Sequence, residues 1–116
     1  MAHYEDLTVD QGTDVAIDIY LVNKDNSKKD LTGYNVAAKM ATSYDADEAD
    51  KVTFTAAVAA PATDGIINLS LTNVQTTALN PKKRYVYDVE VSVEDNGTTT
   101  VERVLQGLIT VTPSVT

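Results

Sequence analysis

The chain of 116 residues contains no cysteine and no tryptophan, and it contains a single histidine. Without cysteine, neither disulfide bonds nor thiolate-bound metals can stabilise the fold. General acid–base and nucleophilic catalysis usually depend on a histidine or on a pair of carboxylates held in different environments. Because the one histidine, His3, stands in the terminal segment, we expect no catalytic residues and no enzyme activity.

Basic residues are scarce as well. Nine Lys and Arg stand against seventeen Asp and Glu, which gives a net charge of −8. Nucleic-acid binding draws much of its affinity from Lys and Arg side chains that neutralise phosphates. The densest basic run, Lys82-Lys83-Arg84, is short and is typical of a solvated corner. We therefore expect no nucleic-acid partner.

Long hydrophobic runs are absent. No apolar stretch approaches the roughly eighteen residues that a membrane span needs, and residues 1–6 have neither the basic nor the apolar region of a signal peptide. We expect a protein that is made soluble in the cytoplasm and has no membrane partner.

Carboxylates are densest over residues 45–50, where they could supply oxygen ligands for calcium. An EF-hand loop needs Asp or Asn at its fifth position and Gly at its sixth, and this stretch has Ala49 and Asp50 there. We predict no metal site, no cofactor and no small-molecule substrate.

The clearest pattern present is an alternation of apolar and mostly polar residues from Tyr85 to Val93, which predicts a half-buried strand. Asn96-Gly97 can adopt the positive φ angles of a tight turn, and an apolar run follows over residues 101–111. The two runs predict one long β-hairpin.

The register of this hairpin has two solutions. A two-residue loop would pair Glu90 with Arg103, whereas a loop of three or five residues would pair Val89 with Leu105. We favour the second solution, because it places the alternate apolar residues of 105–111 on the same face as the tyrosines. Arg103 is then out of place, which suggests a bulge beside it.

Similar alternation recurs along the chain at intervals of about ten residues. The predicted strands cover residues 7–9, 13–22, 34–41, 52–58, 67–71, 85–93 and 101–111, and Thr72 is placed to cap a short helix over residues 73–79. Seven strands with one short helical turn before the sixth predict an all-β fold, a seven-stranded antiparallel immunoglobulin-like β-sandwich. An open barrel is the alternative. We expect one domain over residues 1–116, with an extended N-terminal arm at 1–6 and a C-terminal tail at 112–116.

We predict partner contacts where apolar side chains are not buried within the domain. The N-terminal segment carries His3, Tyr4, Leu7 and Val9, and the outer face of the second strand becomes apolar at Tyr20 and Val22. An extended arm can add a strand to a neighbouring subunit; alternatively, Leu7 and Val9 form the first strand of their own sandwich. Tyr4, Tyr20 and Tyr44 are the tyrosines that could stack on sugars.

Five strand-and-turn segments carry a family resemblance. They are Asp-Leu-Thr-Val-Asp-Gln-Gly at 6–12, Asp-Leu-Thr-Gly-Tyr at 30–34, Asp-Gly-Ile-Ile-Asn-Leu-Ser-Leu-Thr at 64–72, Tyr-Val-Tyr-Asp-Val-Glu-Val at 85–91 and Arg-Val-Leu-Gln-Gly-Leu-Ile-Thr-Val-Thr-Pro at 103–113. In this order they resemble the small β-sandwich virion proteins of tailed bacteriophages, especially marine T4-like phages. They are also similar in outline to the N-terminal module of baseplate upper proteins.

The resemblance implies a non-enzymatic virion structural protein, made in the bacterial cytoplasm. It would bind other virion proteins and copies of itself in a symmetric assembly at the tail, neck or baseplate. Since no coiled coil or receptor-binding region follows before Thr116, we expect an accessory subunit. A capsid decoration protein is the alternative within this class, and a carbohydrate-binding module for the host surface is the alternative outside it.

Overall fold

The protein is an all-β fold of two sheets in a computed structural model, which describes residues 3–115 apart from the side chains of His3 and Glu48. The strands are β1 (His3–Tyr4), β2 (Leu7–Asp10), β3 (Val15–Tyr20), β4 (Asn35–Ala41), β5 (Val52–Thr53), β6 (Thr55–Val58), β7 (Ile66–Leu71), β8 (Arg84–Asp95) and β9 (Thr98–Thr112). Two 3-10 turns, Glu48–Asp50 and Ala62–Asp64, and one short helix, α1 (Asn73–Thr77), connect them.

The larger sheet has the order β1-β9-β8-β4-β5, and β2 also pairs with β9, while the smaller sheet has the order β3-β7-β6. Both β1 and β2 run parallel to β9, and the other strand pairs are antiparallel. The prediction of seven strands, all antiparallel, is therefore wrong in number and in direction. The N-terminal segment contributes two strands, and the predicted strand over residues 52–58 is divided between the sheets.

That division occurs at Phe54. β5 pairs with β4 in the larger sheet, where Lys39 lies opposite Thr53, and the Phe54 N–H donates to the Ala38 carbonyl at 2.9 Å. From Thr55 the chain pairs with β7 in the smaller sheet. The chain therefore passes from an edge strand of one sheet to an edge strand of the other, and the Phe54 side chain at the crossing is buried in the core.

The β8–β9 hairpin uses both of the registers considered from sequence. Near its tip, Asn96 and Gly97 have φ angles of 52° and 80° and form a two-residue turn, and Glu90 lies opposite Arg103. An irregularity follows between Val89 and Glu90, and from there Val89 lies opposite Leu105. The favoured register and its bulge are confirmed for the base of the hairpin, but the longer loop that we favoured is wrong.

Side chains from both sheets meet in one core. The largest fully buried ones are Tyr87, Leu31, Met40, Ile67, Leu69, Leu71 and Ile109. Tyr85 and Tyr87 are buried as their alternation predicts, and Tyr34 packs against the core from one side.

Helix α1 begins at the predicted cap. The Thr72 hydroxyl accepts from the Gln75 N–H at 3.2 Å, and the Gln75 side chain accepts from the Thr72 N–H at 2.9 Å, which completes a capping box. The helix ends at Thr77, two residues before the predicted end. Val74 points to solvent.

Strand pairing reaches into both of the terminal segments that were predicted as arm and tail. Residues 3 and 4 form strand β1, and Thr112 is the last residue of β9. The Thr112 hydroxyl donates to an Asp10 carboxylate oxygen at 2.5 Å, which fixes the two strands to each other. Of the predicted arm and tail, residues 1, 2 and 116 lie outside the described part of the chain.

Candidate interaction surfaces

The N-terminal segment lies along the edge of the larger sheet and is attached to its own chain. We call residues 3–6 the N-terminal strap. The Glu5 N–H donates to the Gln106 carbonyl at 2.9 Å, and an Asp6 carboxylate oxygen accepts from the Leu108 N–H at 3.3 Å. The prediction left open whether this segment pairs within its own sandwich or with a neighbour. In this structure the described part of the strap pairs with β9 of the same chain.

The side chain of Tyr87 holds the strap through a hydrogen bond. Its hydroxyl donates to the Glu5 carbonyl at 2.6 Å, although the residue is only 1% exposed. Burial, together with the nearby carboxylates of Glu5 and Asp6, raises the pKa of the Tyr87 hydroxyl well above its usual value. This hydrogen bond therefore links the strap directly to the core.

Replacing Tyr87 by Phe should lower the unfolding free energy by about 1 kcal/mol at neutral pH, because the Glu5 carbonyl loses its donor. Since the folded-state pKa is raised, the neutral phenol contributes stability that is fully present below the unfolded pKa of about 10 and is lost as the pH rises above it. The wild-type melting temperature should therefore fall more steeply than that of Tyr87→Phe on the alkaline side of pH 10. Tyr20→Phe, at an exposed position, is the control, and parallel pH profiles for wild type and Tyr87→Phe would contradict this account.

The four N-terminal residues predicted to bind a partner have different environments. Tyr4 is 61% exposed, Leu7 is half-buried against the core, and Val9 is 1% exposed within it. The side chain of His3 lies outside the described residues. Val9 is withdrawn from the partner-binding set, because its side chain packs into the core of its own domain and leaves no surface for another chain.

The other two predicted contact residues are exposed, and they lie at the end of β3 in the smaller sheet and in the loop just after it. Tyr20 ends β3, opposite Ile66, and Val22 forms an isolated bridge with Lys28 in the loop that follows. The structure therefore does not gather the predicted residues into one surface. It places Tyr4 on the edge of one sheet and Tyr20 with Val22 at the end of the other.

The outer face of the larger sheet carries a groove that alternation alone did not reveal. It has a volume of about 290 Å³, and its lining includes Ala37, Ala41, Tyr44, Val86 and Asp88. Ala37, which is exposed, and Ala41, which is buried, are small residues of β4, so the floor of the groove lies below the larger side chains around it. Tyr44 is exposed beside it.

The acidic loop does not assemble a metal site within the described residues. No three His, Cys, Asp or Glu side chains there are placed to hold one ion, with Glu48 outside the comparison. Asp45, Asp47 and Asp50 instead line a polar groove that also contacts Lys83 and Tyr85.

The tip of the long hairpin extends beyond the neighbouring strands of its sheet. The sequence pattern did not predict this extension. β4 follows β8 only as far as Ser92, and β1 follows β9 only from Leu105. Within residues 3–115, positions 93–101 therefore have no third strand beside the two strands of the hairpin, and we call them the hairpin arm. Val101, on this arm, is 58% exposed. Two-stranded ribbons without a third strand have little stability of their own, so the arm depends on its base.

The loop before β4 supports that base. Lys29 forms an ion pair with Glu102 at 3.6 Å, and its ammonium group lies 5.6 Å from the centre of the Tyr34 ring. The ion pair joins the loop to Glu102 at the base of the arm, whereas the ring contact lies within the loop itself. The feature of the sequence that could have revealed the arm is the length of the two alternating runs. Each run is longer than any strand in the smaller sheet.

Comparison of the sequence with protein-family models and with curated proteins gives no match. Within the described residues, no helix is long and apolar enough to cross a membrane.

Proposed function

We propose that the protein is a non-enzymatic structural subunit of a tailed-bacteriophage virion, an accessory or adaptor that binds other virion proteins at the tail, neck or baseplate. Three of the five segments that carry the family resemblance support this proposal by their position. Residues 6–12, 85–91 and 103–113 contain β2 and the bases of β8 and β9, which lie side by side in the larger sheet. Three of the five segments are therefore neighbours in the larger sheet, whereas residues 64–72 contain β7 of the smaller sheet.

The observation that carries the proposal is the shape of the exposed surface. The hairpin arm projects from the body, the molecule measures 48 × 26 × 22 Å, and single large apolar side chains such as Tyr4, Tyr20 and Val101 are exposed at separate places. Surfaces of this kind suit contacts with several neighbouring proteins. An adaptor in a symmetric assembly needs such contacts on more than one side.

We also propose that the two sheets form an immunoglobulin-like sandwich. Strands β9, β8 and β4 in one sheet and β3, β7 and β6 in the other occupy the places of strands G, F, C and B, E, D in that fold. The Asn80 N–H donates to the Tyr85 hydroxyl at 2.9 Å, which is the contact of a tyrosine corner at the start of strand F. Tyr87 then takes the place that the second disulfide cysteine has in antibody domains.

Quantitative mass spectrometry of purified phage particles tests the function. We expect the protein in the particle at a copy number that matches a symmetric tail, neck or baseplate ring. A copy number that matches the capsid lattice would favour the capsid decoration protein instead. Absence from purified particles would overturn both.

Tyr4→Ala tests whether the strap contacts a neighbour. Deleting residues 1–6 would also remove the acceptor of the Tyr87 hydroxyl. A loss of incorporation in the truncated chain could then result from lower stability as well as from a lost contact. Tyr4 is exposed, and its replacement should leave the melting curve unchanged while it reduces incorporation into particles. Normal incorporation of the Tyr4→Ala protein would remove the strap from the partner surface.

The host-surface carbohydrate-binding module is the second candidate, and the exposed Tyr44 beside the 290 Å³ groove is the observation that favours it. Aromatic rings on a sheet face can stack on sugar rings, and the nearby Asp88 could accept hydrogen bonds from hydroxyl groups. Saturable binding on a glycan array that Tyr44→Ala abolishes and Tyr20→Ala preserves would support it.

A further inference from the structure

Strand β6 is an edge strand without the usual protection of edges. Natural sheets guard exposed edges with charged side chains or proline. Two other outer strands follow that rule, since β3, the opposite edge of the same sheet, carries Asp18 and β2 carries Asp10. No charged residue occurs between Lys51 and Asp64. Within the described residues β6 pairs with β7 alone.

The free side of β6 presents backbone groups that can form hydrogen bonds. The Ala59 N–H donates to the Ile66 carbonyl at 2.8 Å, so Ala59 faces β7. Backbone groups alternate in direction along an antiparallel strand, and those of Ala56 and Val58 therefore point away from β7. These two residues offer N–H and C=O groups at the free edge.

The adjacent edge of the larger sheet is uncharged too. β5 pairs with β4 at Lys39 and Met40, and the Phe54 N–H donates to the Ala38 carbonyl, so only residues 35–37 have no strand partner on that side among the described strands. These residues are Asn35, Val36 and Ala37. We call β6 together with residues 35–37 the neutral flank.

A second copy of the chain is the partner that fits the neutral flank. Each copy carries a net charge of −8, so two copies repel each other, and this repulsion is weakest where they meet away from acidic side chains. The edge sequence Thr-Ala-Ala-Val is also compatible with itself, because no like charges come to lie opposite each other when it pairs antiparallel.

We infer that two copies associate through antiparallel pairing of β6 with β6 about a two-fold axis at Ala57. Ala56 of each copy then forms a hydrogen-bonded pair with Val58 of the other. Ala57 faces its own counterpart in a non-hydrogen-bonded pair, with Cα atoms about 4.5 Å apart. The two smaller sheets become one continuous sheet with both edges at β3, where Asp18 protects them. The inference rests on the proposed function only in expecting assembly with copies of itself.

Cysteine cross-linking tests the axis, and the natural chain contains no cysteine to interfere. Two cysteines at position 57 would lie within the Cα range of a disulfide, about 4.4–6.8 Å. Ala57→Cys should therefore form a disulfide-linked dimer under mild oxidation. Ala16→Cys is the matched control, since Ala16 is an exposed alanine on β3, the other edge of the same sheet. It should stay mostly monomeric.

Solution mass provides the second measurement. Sedimentation of the wild-type protein across a concentration series should show a monomer–dimer equilibrium, which Ala57→Lys abolishes by placing two ammonium groups opposite each other. Ala16→Lys should dimerise as the wild type does, and at concentrations where the wild type is monomeric both variants should keep its melting curve.

A wild-type protein that stays monomeric throughout the series overturns the inference. It is overturned equally by a dimer that Ala57→Lys does not weaken, or by cross-linking that is no greater at position 57 than at position 16. These measurements use purified protein, so their failure leaves the virion proposal standing. Absence from phage particles, in turn, leaves a demonstrated dimer standing.

Discussion

Tyr87→Ala is expected to lower the free energy of unfolding by about 3–5 kcal/mol, the cost of deleting a large buried side chain. The ring lies in the middle of the core with 1% exposure, between the two sheets, and its hydroxyl holds the strap through Glu5. Small domains are typically stable by about 5–15 kcal/mol. The variant should therefore lose a large fraction of the stability of the domain.

Urea denaturation of Tyr87→Ala, Tyr87→Phe and Tyr20→Ala separates the contribution of the buried ring to stability from that of its hydroxyl group. Tyr87→Phe removes the hydroxyl alone, and Tyr20→Ala removes an exposed ring of the same kind. We expect a large loss for the first variant, a small loss for the second and almost none for the third. A loss below about 1 kcal/mol for Tyr87→Ala would mean that the tyrosine face of β8 is not the core face.

The alternation of side chains was enough to place most strands. It identified β3, β4, β7 and β8 because each buries one face and exposes the other, so that the period of two is preserved. Thr72 and Asn96-Gly97 were recognisable because a helix cap and a tight turn depend on a few residues that are local in sequence.

The change of sheet at Phe54 could not be predicted in this way. Val52, Phe54, Ala56 and Val58 continue one unbroken alternation, and each packs inward. Which sheet supplies the hydrogen-bond partner is decided by distant segments, β4 before Phe54 and β7 after it. A pattern within the strand contains no information about that choice.

The candidate surfaces were predictable only in part. Exposure of Tyr4, Tyr20 and Val22 agrees with the pattern, but the burial of Val9 results from its parallel pairing with Val111 of β9, far away in the chain. The neutral flank could not be predicted from the sequence either. The absence of charge between Lys51 and Asp64 becomes unusual only when the topology shows that β6 is an edge.

Gly107→Ala is the second variant with a large expected effect. A Cβ atom at this position would overlap the Glu5 carbonyl oxygen and would lie 2.7 Å from the carbonyl carbon, and neither backbone atom can move without lifting the strap. Overpacking of this kind typically costs about 1–3 kcal/mol. We expect a loss near the upper end, because the hydrogen bond from Tyr87 to Glu5 breaks as well.

The same substitution in a chain that lacks residues 1–6 provides the control. The truncated chain has no Glu5, so the added methyl group meets no backbone there and Gly107→Ala should cost little beyond the truncation itself. Urea denaturation of the four proteins forms a double-mutant cycle whose coupling energy measures the contact between strap and β9. Limited proteolysis should also cut the strap faster in full-length Gly107→Ala than in wild type. Equal costs of Gly107→Ala in the full-length and truncated chains would show that the strap does not require a glycine at this position.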